Sequence, residues 1–234
     1  MTRALITLVH GGQQGAWTFD LLTPYLHELG YRTLAVELPI GEIDLGGADY
    51  AATVIRAIAD EDEVVLVGHS MGGLITPLVA VQRPIARLIF VCAGFPEPRR
   101  SHIQVRREQP GEGVGKGPSD AWEQPGGFHM LPPEVAREMY FHDCSKEVQD
   151  WAVSKVTLQA DKPLEEITPM QAWPSTPRSM IIATEDRCIP RDSALRTIDR
   201  LFGVVPIEIP GGHCPSLSRP ALLATVIAGI MEGS

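Results

Sequence analysis

No run of about 18 apolar residues, the length needed to cross a bilayer as a helix, occurs without an interrupting charge, Pro or Gly. The opening MTRALITLVHGG carries one Arg and a short apolar run with no small-residue cleavage site. Neither a membrane span nor a targeting leader is therefore expected. Cysteine is scarce: Cys92, Cys144, Cys188 and Cys214 are scattered, with no CxxC pair. That excludes a zinc pattern and a dense disulfide framework, and reads as free thiols in a reducing, cytoplasmic setting. Positive charge is short as well. Twenty Lys and Arg stand against 29 Asp and Glu, a formal net charge of −9. Nucleic acid and anionic lipid call for a basic face, so neither is an expected partner.

What is present suits a globular domain. Hydrophobic residues make up 44% and charged residues 21% of 234 positions, which argues against disorder. A chain of this length buries about 70% of its unfolded surface without disulfides or metal, as one large domain or two small ones. Short apolar runs alternate with helix-patterned stretches. ALITLV (4–9), TLAVEL (33–38), EVVLV (63–67), RLIFVC (87–92), MIIAT (180–184) and the run 204–209 read as strands. Between them, residues 19–29, 50–59, 73–81, 193–201 and 220–231 read as helices, with Pro77 a weak point in the third. Strands apolar on both faces belong in a parallel sheet covered on both sides. The expected fold is α/β: a doubly wound, mainly six-stranded parallel sheet with helices on both faces. Residues 95–177 break the rhythm and contain Trp122, Trp151 and Trp173. They read as an inserted, largely helical cap on a core formed by residues 1–94 and 178–234.

The chemistry is concentrated in Gly68-His69-Ser70-Met71-Gly72, which follows a strand and opens a helix. In that setting G-x-S-x-G is a nucleophile elbow: a sharp turn raises the serine hydroxyl above the carboxyl edge of the sheet. The N–H of Met71 then faces a developing oxyanion, helped by the helix N-terminus. Such an elbow requires three further parts. His10-Gly11-Gly12 after the first strand offers a second oxyanion donor, the N–H of Gly12. Glu185-Asp186 after MIIAT offers the acid; Asp186 is preferred, because the turn before Pro190 can aim it at the sheet edge, with Glu185 as rival. His213, after the last strand, completes the order Ser, Asp, His. His10 and His69 flank the site and read as supports of the backbone. His129 or His142 in the cap could touch substrate, while His27 and His102 have no partner that sequence can name. Trp122, Phe128, Met130, Phe141 and Trp151 are candidates for an apolar substrate lining, or equally for the cap's own core. Cys188 and Cys214 closely follow the acid and the base and could lie near each other as buried thiols.

These residues resemble the α/β-hydrolase superfamily. More narrowly, HGGQQGAWTFDLLTPYLHELGYRTLAVELP is similar to the opening of the plant methylesterase and hydroxynitrile lyase group, which shows HG-x-x-x-GAW. GHSMGG, TEDRCIP and GGHCPSLSRP continue the likeness with small esterases of that type, and the cap matches weakly. The resemblance implies Ser70, Asp186 and His213 as the triad and Gly12 and Met71 as oxyanion donors. Lyases of the group carry Thr after the loop His and Lys after the catalytic His, where this chain has Gly11 and Cys214. With no cation there for departing cyanide, a lyase is disfavoured. A serine nucleophile likewise disfavours epoxide hydrolase or dehalogenase chemistry. The expected function is cofactor-independent and metal-free hydrolysis of a small carboxylic ester through an acyl-enzyme. Alternatives are a lactonase, thioesterase, acyltransferase or cyclase using the same triad, or a ligand-binding receptor that retains the site. A homodimer is left open.

Overall fold

The computed structural model describes residues 4–108 and 123–233. Strands β1 (Leu5–Val9), β2 (Arg32–Val36), β3 (Val64–His69), β4 (Arg87–Val91), β8 (Arg178–Ala183) and β9 (Ile207–Ile209) form one sheet in the order β2-β1-β3-β4-β8-β9. Every pairing in it is parallel. The inner strands are apolar on both sides because successive residues serve two different cores. Leu5, Val9, Leu66, Leu88, Phe90, Met180 and Ile182 face helices α2 (Gly47–Ala57), α3 (Gly72–Ala80) and α8 (Arg191–Phe202). Ile6, Leu8, Val65, Val67, Ile89, Val91, Ile181 and Ala183 face α1 (Thr23–Glu28) and α10 (Pro220–Glu232). Among the described residues no helix is long and apolar enough to cross a membrane.

Local chemistry explains the boundaries. α1 ends before Gly30, whose φ of +82° is the left-handed conformation that closes a helix. α3 is buried from Gly72 to Val79, and Pro77 sits inside it. Its place between sheet and α2 holds the helix despite the missing N–H, so the local penalty that Pro imposes is overridden by packing.

Between β4 and β8 the chain builds the expected insertion, although it is less helical than its sequence suggests. Helices α4 (His102–Glu108), α5 (Pro133–Tyr140), α6 (Lys146–Val153) and α7 (Lys162–Glu165) are joined by an antiparallel sheet of two-residue strands: β5 (Glu123–Gln124), β6 (Phe128–His129) and β7 (Gln159–Ala160). Strands that short show no period-two pattern to read. Gln13, in the loop after β1, fastens this layer to the core. Its carbonyl accepts from Thr157 N–H at 3.0 Å, and its side-chain Oε1 accepts from Leu131 N–H at 2.7 Å.

Candidate active site

Strand order reverses between β1 and β3, since β1 leads to β2 on one side and lies beside β3 on the other. Open α/β sheets bind ligands beyond the carboxyl ends of strands at such a point. The loops after β1 and β3 carry Gly11-Gly12 and Ser70. Backbone strain gathers on the same edge: Gln13, Ser70 and Cys92 have φ of 61°, 52° and 46°. At Gly72 an added Cβ would collide with the Val9 carbonyl, and at Gly68 it would stand 2.8 Å from the Gly72 carbonyl. The two glycines flanking the serine thus allow the turn to fold tightly against β1.

His213 Nε2 lies 3.0 Å from Ser70 Oγ, and its Nδ1 lies 2.8 Å from Asp186 Oδ2. A hydrogen bond donated from Nδ1 to the carboxylate leaves Nε2 to accept from the serine. The other carboxylate oxygen of Asp186 accepts the N–H groups of Cys188 at 2.7 Å and Ile189 at 2.8 Å. This Asx-type turn aims Asp186 inward, where it is buried, while the rival Glu185 is exposed. Gly12 and Met71 both line the pocket above Ser70, with the Gly12 Cβ position 3.6 Å from Met71 Sδ. Neither N–H has a hydrogen-bond partner among the described residues. The Gln13 side chain, which could have filled that space, is held by the cap instead.

The flanking histidines brace the backbone. His69 Nε2 donates to the His213 carbonyl at 2.8 Å. Burial, followed by the nearby His213, lowers the pKa of His69 from 6.5 to about 3. His10 Nε2 accepts from Leu38 N–H at 2.9 Å and its Nδ1 donates to the Gly11 carbonyl at 2.8 Å, so it is neutral and joins the ends of β1 and β2. Burial lowers its pKa as well. Of the two cap histidines, His129 lines the pocket with Nδ1 2.5 Å from Asp161 Oδ1, whereas His142 holds the Glu185 carbonyl at 3.0 Å outside it. The cysteines are free thiols. Cys188 lies beside Asp186 and His213, while Cys214 Sγ accepts from Gln14 Nε2 at 3.3 Å.

The pocket, about 780 Å³ including its mouth, departs from the expected aromatic lining. Phe141 is fully buried and packs with Trp17, which meets Trp151 edge-on at 5.3 Å. These residues form a small cluster with Cys214 and Leu217 of the core, not a substrate wall. Phe128 and Met130 are half-buried away from the pocket, and Trp122 lies outside the described residues. Their chain neighbours take the role: His129, Leu131 and Tyr140 line the cavity, and Tyr140 stacks on His213 at 5.7 Å. A one-residue change turns a side chain to the opposite face, which composition alone cannot reveal. Two further lining residues carried no readable signal. His102 has no partner nameable from sequence, and Arg106 in HIQVRRE looks like part of a solvated charged helix.

Residues 8–226 match the model of the alpha/beta hydrolase family, and the chain belongs to that family. It is 28% identical to the alpha-hydroxynitrile lyase of Arabidopsis thaliana, over 95% of both chains. It is also 28% identical to the polyneuridine aldehyde esterase of Rauvolfia serpentina, over 96% of this chain and 94% of that protein. The fold is shared with a pyrethroid hydrolase from Sphingobium faniae JZ-2, at a TM-score of 0.79 and 24% identity over 99% of this chain and 98% of that one.

Proposed function

We propose that the protein is a serine hydrolase that cleaves a carboxylic ester through an acyl-enzyme. One observation carries the reading: Ser70, His213 and Asp186 form an unbroken hydrogen-bonded relay at 3.0 and 2.8 Å, with the unpaired N–H groups of Gly12 and Met71 beside the serine. Ser70 Oγ attacks the ester carbonyl as His213 Nε2 takes its proton, and Asp186 stabilises the imidazolium. The oxyanion is held by Gly12 and Met71. Collapse expels the alcohol with the proton from His213. Water, deprotonated by His213, then attacks the acyl carbon, Ser70 leaves with the proton, and the acid is released. The esterases among its relatives support the same reaction class.

A fluorophosphonate probe should label the wild-type protein on Ser70, and 4-nitrophenyl esters should be turned over. Ser70→Ala should abolish labelling and lower kcat by about 10⁶ if the triad acts as a unit. Labelling without turnover of any ester or lactone would make the protein a receptor; turnover of lactones alone would make it a lactonase.

A further inference from the structure

The chain is acidic, yet among the described residues no Asp or Glu lines the pocket, and Arg106 does. Several other half-buried arginines are engaged. Arg83 donates to the Ile58 and Glu61 carbonyls, Arg87 to Ser179 Oγ, Arg100 pairs with Glu97, and Arg178 donates to the Pro174 carbonyl. Arg106 has no hydrogen-bond or ion-pair partner among the described residues, and its burial lowers its pKa from the ordinary arginine value. One helical turn earlier on the same face of α4, His102 also lines the pocket. Its Nδ1 is buried without a partner, and burial followed by the charge of Arg106 lowers its pKa to about 4, so it is neutral. His102 Cε1 stands 3.5 Å from the Cβ position of Gly94, whose N–H bonds the Ser70 carbonyl at 3.0 Å. His102 therefore lies one layer from the nucleophile. Three other polar side chains of the wall are committed: Gln13 to Leu131, Gln159 to Gln13 and Ala160, His129 to Asp161.

A half-buried guanidinium with no partner among the described residues has lost hydration that an anion restores well, and its planar fork matches a carboxylate. We propose that Arg106, assisted by His102, is an anion-recognition subsite, and that the ester hydrolysed carries a second, ionised acidic group. This specificity rests on the ester-hydrolase reading. A carboxylate is the group best matched by the fork, and a phosphate shares the chemistry.

Two matched substrate pairs test it. 4-Nitrophenyl hydrogen adipate against 4-nitrophenyl methyl adipate places the charge on the acyl side. 4-Acetoxybenzoate against its methyl ester places it on the alcohol side. In one pair, the charged-to-neutral ratio of kcat/KM should fall about tenfold in Arg106→Gln, the loss expected of a charge-assisted hydrogen bond, and recover in part in Arg106→Lys. Equal ratios in all three proteins for both pairs would overturn the proposal, as would variants that only melt earlier. Adipate and phenyl phosphate, added as simple ligands, distinguish the two acid types. Each should raise the Tm of the wild type in proportion to its fit and that of Arg106→Gln much less. Fluorophosphonate labelling and neutral-ester turnover report on the hydrolase reading separately. If both are absent, the ligand-induced Tm shift alone decides the subsite: its dependence on Arg106 sustains it, and no shift removes it.

Discussion

Asp186 is the residue at which local sequence and geometry meet. Its carboxylate is divided between two backbone N–H groups and the imidazole. Asp186→Asn keeps the shape but turns a donor amide or a neutral carbonyl toward His213, favouring the wrong tautomer. kcat should fall by about 10⁴, while the exposed Glu185→Gln should change it little. Steady-state kinetics of the two variants check this, and the reverse ranking would move the acid to Glu185. Ser70, Asp186 and His213 were legible because each follows a strand, in an order that a nucleophile elbow requires. That Arg106 lines the pocket was not legible, because a charged residue on a short helix looks solvent-facing.

Elements differed in legibility for the same kind of reason. The four inner strands stood out because burial on both faces leaves continuous apolar runs. The two-residue strands β5, β6 and β7 have too few residues to show alternation. The cap aromatics were visible, but not the direction in which each points. Phe141 is fully buried among Trp17, Tyr140 and Trp151, so Phe141→Ala should destabilise the protein by about 3–5 kcal/mol without altering acyl preference. Leu131→Ala opens the cavity and should shift preference toward longer acyl chains. Chemical denaturation and a series of 4-nitrophenyl esters separate the two effects. Stability loss with an altered chain-length profile in Phe141→Ala would return that residue to the pocket.

Across the whole molecule, buried neutral histidines make stability depend on acidity. His10, His69 and His102 all have pKa values lowered by burial. For such a group the unfolded chain binds the proton first, so stability is complete above the unfolded value near 6.5 and is lost as pH falls toward the folded value. With a folded pKa of about 3, His69 alone contributes a loss of roughly 2 kcal/mol on going from pH 7 to pH 5. Tm should fall over that interval. His69→Gln, which keeps a donor for the His213 carbonyl, should show a shallower slope; an unchanged slope would mean that His69 is not the group responsible.

The order of strands also predicts an order of assembly. β1, β2, β3 and β4 come from one continuous stretch, whereas Leu88 pairs with Arg178 only after the whole cap has been crossed. Closing that long loop has an entropic cost and slows pairing. Ser70 and Gly12 belong to the early half, while Asp186 and His213 arrive with β8 and β9. On dilution from denaturant, secondary structure should therefore return before reactivity toward fluorophosphonate. On that order Ser70 would wait for His213 and Asp186 until the last strands dock, so a half-made chain would carry the serine without the proposed chemistry.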